Sequence, residues 1–558
     1  VNKENADHRY GFQLIQGEIS MKTKLITLLC LLSILALLPL WAAHQATAGS
    51  VLPENKVPGR VESTARRLTN SLRKSGFEVK RGYFTLYTIN DCQYSFDVLK
   101  TCFYNNPAAP YIFPDVPFWD DEFMDEATIN AFGVTEPGYS VTYRFDPREA
   151  IVILAKMPPP AKYFGLQTYK FSHQGTYDTT GEAYKFFQSF GYFFVEKWFH
   201  TIPGNPERIG ALNSLSDPIN NVVIEEQSGA VWNELRYFII TPDQSMDMAI
   251  REALSKISIA DEDIFTERIG TEVIPGYEAD AMRVGLDEAA DDFSTWMRYA
   301  IPEGGNDPGT PGDTWRNNLP MVVLRIRPTR PDWQPVPYPS FVEPEKRTGI
   351  DEHQYQEDLD DLVAAVRARW GQPSDTPPPS LYALQKPPSN LIGPLCSEVG
   401  MDCLGDNWDA HYQASILATR LDKGEVYAVL GTLGTQTGNA NYVALALVNT
   451  TMTLGFESIN DDKLKDTAQA YSAQVENTDK FFLYYITRNC DLLGGLIDDG
   501  NCFSITEDMI PVCEDYQDPT CPMVAFAIRE YLFPGTRRGP DTAFILPARV
   551  IPLQGPMP

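Results

Sequence analysis

Histidine is scarce in this chain, with 6 in 558 residues, and no pair of them takes the H-E-x-x-H spacing. Cysteine never occurs as C-x-x-C or C-x-x-C-H. G-x-S-x-G, G-x-x-x-x-G-K-S/T and the Rossmann glycines are also missing. Each absence argues against a chemistry that needs fixed spacing. Zinc proteolysis wants two imidazoles one helical turn apart, phosphate loops want backbone N–H groups freed by glycine, and a lipase-like serine wants a sharp strand–helix turn. Positive charge is short as well. Lys+Arg number 46 against 74 Asp+Glu, for a formal net charge of −28. A surface of that sign repels nucleic acid and anionic membrane. Long apolar runs are confined to one place, Leu25 to about Ala43, so no other segment is long enough to span a bilayer.

That run follows Met21, Lys22 and Lys24 and precedes Ala46-Thr47-Ala48, a small-x-small cleavage pattern. Residues 21–48 therefore read as a secretory signal peptide cut after Ala48, and residues 1–20 as sequence upstream of the true start. The expected location is secreted or periplasmic, with no membrane span after signal removal. Beyond Cys30, eight cysteines remain in four close pairs: Cys92/Cys102, Cys396/Cys403, Cys490/Cys502 and Cys513/Cys521. An even count in an exported chain predicts disulfides, and turn formers beside each pair favour local bridges. With His173, His200, His353 and His411 as the only remaining histidines, no metal set is assigned.

The remainder is too long for one core, and its composition divides it. Residues 49–81 form an N-terminal arm with an amphipathic basic helix at 60–75. Its Ser71-Leu72-Arg73-Lys74 matches S-x-x-K by sequence alone. Residues 82–330 read as an α/β unit. Tyr139–Phe171 is its organising stretch, with three runs rich in β-branched and aromatic residues separated by loops such as Pro158-Pro159-Pro160. These runs predict three adjacent strands. Leu235–Ile240 and Pro320–Arg327 predict further strands. Thr241-Pro242-Asp243-Gln244 reads as a capping box opening a helix to about Ile259, and a second helix is expected from Tyr277 to Tyr299. Residues 331–405 read as a Pro-rich connector with one helix, Asp351 to Trp370. Residues 406–558 read as a β-rich unit with strands at His411–Arg420, Glu425–Leu433, Tyr442–Asn449 and Phe481–Thr487. Helices are expected there at Lys463–Ala473 and Val524–Leu532. The fold class is thus α+β and β-rich, mainly antiparallel sheets or a sandwich with flanking helices.

Four stretches carry candidate chemistry. Asp409, His411 and Ser415 fall on one face of a predicted strand, but i and i+2 lie about 7 Å apart, too far for direct nucleophile–base contact. Asp409 and His411 remain catalytic candidates with partners from elsewhere, against a structural histidine. His173, at the end of the organising sheet beside Tyr177 and Asp178, is a third candidate base, against a turn hydrogen bond. Asp115–Glu126 carries six carboxylates with Phe118, Trp119 and Phe123 interleaved. An acid-rich helix start at about Asp120 explains them; weak Ca²⁺ or sugar binding through Trp119 is the rival, and no EF-hand loop is present. On Tyr163–Phe171, Tyr163, Gln167 and Tyr169 share one face that reads as lining a groove or meeting water. The aromatic run Tyr184–Phe199 reads as core or as the wall of an apolar ligand pocket.

Four phrases, PPPAKYFGLQTY (158–169), FIITPDQSMDMAIREAL (238–254), EVIPGYEADAMRVGLDEAADDFSTWMRYA (272–300) and AFAIREYLFPGTRRGP (525–540), resemble a family of exported, uncharacterised proteins of bacteria and some microbial eukaryotes. The first also resembles, more weakly, sandwich strands of an envelope domain family. The resemblance implies export and a β-rich fold; it brings no catalytic motif and no cofactor. Two functions follow as expectations. The first is an extracytoplasmic hydrolase of an ester or polymer, using a histidine and carboxylates from different loops. The alternative is a non-catalytic ligand-binding or surface-structural protein. Either takes a small-molecule or polymer ligand and no nucleic acid.

Overall fold

The structure is a computed structural model. It describes residues 58–190, 192–271, 282–339, 347–371, 381–384, 391–392, 396, 401, 403–415, 420–498, 500–512 and 521–555. The predicted leader, residues 1–48, lies outside them. Residues 55–558 make one compact unit.

One twelve-stranded sheet takes all its strands from Phe77 to Pro328. In chain order they are β1 (Phe77–Leu86), β2 (Tyr111–Pro117), β3 (Tyr139–Ser140), β4 (Thr142–Tyr143), β5 (Ala150–Lys156), β6 (Ala161–Gln174), β7 (Arg208–Ser214), β8 (Ile219–Asn220), β9 (Leu235–Thr241), β10 (Ile264–Arg268), β11 (Asp292–Pro302) and β12 (Met321–Pro328). The neighbour order is β10-β9-β5-β12-β1-β2-β11-β6-β7, with β3 on β2, β4 on β11 and β8 on β6. Only β9 and β10 run parallel among these pairs. The run IVILA and the run KYFGLQTYKF are therefore not adjacent, contrary to the expectation: four strands separate β5 from β6. Their connection through Pro158–Pro160 is a crossover and not a hairpin.

The sheet curls because β1 serves two ladders. Phe77–Gly82 pairs with β12, and Tyr83–Leu86 pairs with β2. The turn-over falls at Gly82, where a Cβ would sit 2.0 Å from the Asp115 carbonyl oxygen. Only glycine lets the two backbones approach there. Curling brings Phe84, Ile112 and Met297 from one side against Ile153, Ile240 and Val323 from the other, in a closed apolar interior. The outer face beyond β12 is covered by two helices, Gly59–Lys74 and Gln244–Lys256. Leu68, Leu72, Met246, Ile250 and Leu254 seal it. The second helix is capped by Asp243, which accepts from the Ser245 N–H, and not by Thr241 as the motif implied. Thr241 is still in the sheet and donates to the Glu149 carbonyl.

Two smaller sheets follow. One holds β13 (Tyr382–Ala383), β14 (Ala410–Ala414), β16 (Tyr442–Asn449), β17 (Leu454–Asn460) and β20 (Val524–Tyr531), in the order β13-β14-β20-β16-β17. The other holds β15 (Glu425–Thr432), β18 (Phe481–Thr487), β19 (Cys502–Ser504) and β21 (Arg549–Gln554), in the order β19-β18-β15-β21. They form a sandwich: Val443, Leu445, Leu447, Phe526 and Ile528 from the first meet Val429, Phe482, Ile486 and Val550 from the second. The connector's helix, Gln356–Arg369, belongs to this sandwich, since Leu359, Leu362 and Val366 cover the outer face of β15, β18 and β21.

Two predicted helices are strands. Val524–Tyr531 is β20, inside a sheet, and the latter part of Tyr277–Tyr299 is β11, a central strand. Residues 272–281 lie outside the described residues. In place of the Lys463–Ala473 helix there is one turn at Asp461–Leu464 and a 3₁₀ turn at Gln469–Tyr471. The Ala-rich or Met-rich composition favours helix locally; burial on both faces overrides it. Disulfides join Cys92–Cys102, Cys396–Cys403 and Cys490–Cys502, with Cα separations of 5.1, 5.8 and 6.0 Å. Cys521 is also disulfide-bonded; Cys513 lies outside the described residues. No helix among the described residues is long and apolar enough to cross a membrane.

Candidate functional site

Strand alternation sends every second residue of β16 and β20 away from the sandwich and toward the large sheet. Ala444, Ala446, Ala525 and Ala527 do this with methyl groups only, so the two sheets approach closely. The join is polar and specific. Cys102 and Tyr104 donate their N–H groups to the Met452 and Thr453 carbonyls, at 2.8 and 2.9 Å. The Asn105 amide exchanges two hydrogen bonds with the Gly455 backbone. Asp406 accepts from both the N–H and the hydroxyl of Ser214.

Two pockets lie along this junction. The first is lined mainly by Phe187, Trp198, Leu391, Ala414, Met523 and Ala525. The second shares Tyr104, Leu384 and Leu404 with it. Its far wall is different: Tyr111, Tyr412, Tyr531 and two arginines, Arg298 and Arg529. Arg298 comes from β11, on the face opposite Met297 and Tyr299; Arg529 comes from β20, on the face opposite Ile528. Both are buried, 4% and 3% exposed, and neither forms an ion pair among the described residues. Arg298 donates from Nη2 to the Tyr169 hydroxyl at 2.8 Å, and its guanidinium lies 5.3–5.6 Å from the ring centres of Tyr111, Trp296 and Tyr169. Arg529 donates from Nη2 to the Tyr104 carbonyl at 2.8 Å, while its buried Nη1 has no hydrogen-bond partner among the described residues. Glu530, one residue on, faces the other way, toward Gly434 and Glu352, and does not neutralise Arg529.

The sequence candidates fall around this site unevenly. Tyr163, Gln167 and Tyr169 do share a face, but that face is buried against the sandwich and meets no water. Tyr169 stands directly behind Arg298; its hydroxyl lies 2.6 Å from the Asp406 carbonyl oxygen and 2.9 Å from Gln167 Oε1, and its one proton serves one of these two acceptors at a time. Tyr163 donates to Asp409 at 2.8 Å, and Asn220 donates to the other Asp409 oxygen at 2.9 Å. Burial pushes the Asp409 carboxyl up to about 7, against the pull of those bonds. Asp409 therefore ties the sandwich to the large sheet. His411 points instead to Thr542, whose hydroxyl lies 3.1 Å from Nδ1, and the Ser415 hydroxyl accepts from the Phe526 N–H. The structure does not bring the three together. His173 ends β6 elsewhere; burial, with Lys170, Arg208 and Arg283 around it, pushes its pKa down to about 3, so the ring is neutral. Among Tyr184–Phe199, Phe187 and Trp198 line the apolar pocket.

Asp115–Glu126 opens no helix; the acid-rich helix start is replaced by the end of β2 and turns. Its acids go to separate partners: Asp120 to Lys80, Asp121 to Arg327, Glu122 to Arg325 and Asp125 to Asn205. Trp119 is buried, donating to Glu149 with the Arg325 and Arg327 guanidiniums over its ring. No group of three or more metal-ligating side chains gathers among the described residues.

No family model and no curated protein matches the chain. A solved structure of an uncharacterized protein from Burkholderia cenocepacia is similar over 88% of this chain and 87% of that one, at 9% sequence identity and a TM-score of 0.33. At that level of superposition the likeness argues for neither fold nor function.

Proposed function

We propose that this is an extracytoplasmic binding protein that holds a small ligand in the junction pocket. The observation that carries the reading is the pair of adjoining pockets: an apolar chamber beside a tyrosine-rich one, sharing Tyr104, Leu384 and Leu404, between sheets locked by Asp409, Asp406 and Asn105. A concave, mostly apolar space with a few convergent polar groups is the form that small-molecule sites take. The disulfides suit an oxidising compartment, which agrees with the predicted leader.

Hydrolysis is the weaker reading. It asks for a nucleophile beside a base, whereas Asp409, His411 and Ser415 hold separate partners. Titration of the secreted protein with a neutral apolar fluorophore, N-phenyl-1-naphthylamine, tests the binding reading. Saturable binding is expected, with Trp198 emission changed, and Ala525→Leu should abolish it by filling the chamber. Turnover of a chromogenic ester panel that is lost in the same variant would replace binding by catalysis.

A further inference from the structure

The binding reading leaves the chemistry of the ligand open, and the inference that follows rests on it. Arg298 and Arg529 are set apart by lining one pocket together; Arg316 is also buried without a carboxylate partner among the described residues, but it donates to Asn306 Oδ1 and the Tyr299 carbonyl and lines neither pocket. A guanidinium withdrawn from water without a carboxylate is costly, and proteins ordinarily pair it. Here two such groups, from two sheets and far apart in sequence, line one pocket. Both lie near enough to the Tyr111 and Tyr412 hydroxyls to act on them electrostatically. Neither has an acidic partner among the described residues, and Arg529 Nη1 is buried with nothing to donate to. Tyrosine rings surround Arg298 and attract its charge, so the positive group is held in place without being neutralised.

We infer that the tyrosine-rich chamber is an anion site, and that the ligand is a small amphipathic carboxylate. Its charged head meets Arg529 and Arg298, and its apolar tail extends past Tyr104, Leu384 and Leu404 into the chamber of Phe187, Trp198 and Ala525. Carboxylate is favoured over phosphate by the number of donors left. Arg298 Nη2 is already engaged by Tyr169, and Arg529 Nη2 by the Tyr104 carbonyl, so the remaining N–H groups suit the single charge and two oxygens of a carboxylate better than the larger charge and three oxygens of a phosphate monoester. The tail's chamber is apolar enough that a free inorganic anion would leave it unfilled.

Calorimetric titration of the full-length secreted protein with octanoate, 1-octanol, octylamine, octyl phosphate and acetate tests this. Octanoate should bind at least about tenfold more tightly than 1-octanol, a charge-assisted hydrogen bond's worth of preference. Octylamine and acetate should bind least. Arg529→Gln and Arg298→Gln should each erase the preference for octanoate over 1-octanol; circular dichroism checks their folding. Should neither variant fold, the wild-type series alone decides. Equal binding of octanoate and 1-octanol would overturn the anion site and leave the binding reading standing. Tightest binding of octyl phosphate would overturn the carboxylate assignment. Binding of none of the five would overturn both.

Discussion

Two sets of buried arginine in this molecule are built in opposite ways. Arg325, inside the large sheet, is fully buried and donates to Glu122 at 2.6 Å, Glu149 at 2.9 Å and the Pro117 carbonyl at 3.0 Å. Two carboxylates balance it within the scaffold. Arg298 and Arg529, at the junction, are as deeply buried and meet only hydroxyl, carbonyl and ring faces. The first arrangement holds its counter-charges within the chain. The second sets two positive charges in one pocket with no carboxylate partner among the described residues.

The comparison can be broken at its strong end first. Arg325→Met should cost about 3–5 kcal/mol in urea unfolding, because it strands two buried carboxylates. Burial already pushes Glu149 up to about 7 with Arg325 present. A loss under about 1 kcal/mol would place Arg325 with the junction arginines. Next, Cys92→Ala with Cys102→Ala should cost about 2–3 kcal/mol in the chain-entropy picture. It should also weaken octanoate binding, since the bridge braces the strand-edge loop that carries Tyr104. Unchanged binding in a destabilised variant would separate bridge from pocket.

A buried acid sharpens the contrast. Asp115 is buried and accepts from Thr85 at 2.8 Å, and its other oxygen has no hydrogen-bond partner among the described residues. Burial pushes it up to about 7 from an ordinary 3.8. The folded state then holds a proton that the unfolded state has released, so stability falls as pH rises between those values. The slope is about 1.4 kcal/mol per pH unit within the window. Asp115→Asn should remove that slope, and thermal melts at a series of pH values measure it. Smallest of all, Arg529→Gln without ligand should shift stability by no more than about 1 kcal/mol, the worth of its hydrogen bond to Tyr104. A loss like that of Arg325 would mean that Arg529 is scaffold.

The strongest strands are legible in the sequence. Ala150–Lys156, Leu235–Thr241 and Phe481–Thr487 are continuous apolar runs because both of their faces are buried. Three local disulfides are legible too, from spacing and turn residues. The two strands that build the tyrosine-rich chamber are not. Val524–Tyr531 alternates large side chains with Ala525 and Ala527, and alanine reads as helix former until a second sheet is known to press on it. Asp292–Pro302 hides behind a run of acids and small residues that favours a helix. The usable signal was the lone arginine inside each apolar run, TWMRYA and FAIREY. Histidine and carboxylate motifs drew attention to Asp409 and His411, which hold the frame beside the chamber.

The walls of the chamber are recruited from the two extremes of the folded chain. Arg529 reaches Tyr104 across 425 positions, and Asn105 reaches Gly455 across 350. A polypeptide that emerges amino end first must keep the 101–106 loop waiting until almost the last strand has been made. The chamber is consequently a late product of folding and a signature of its completion. Truncation between Pro328 and Tyr531 removes it while keeping every strand of the curled sheet in the chain. A ligand that fits can rescue only chains that have reached the final step, so its effect on yield would report where along that path a defective variant stalls.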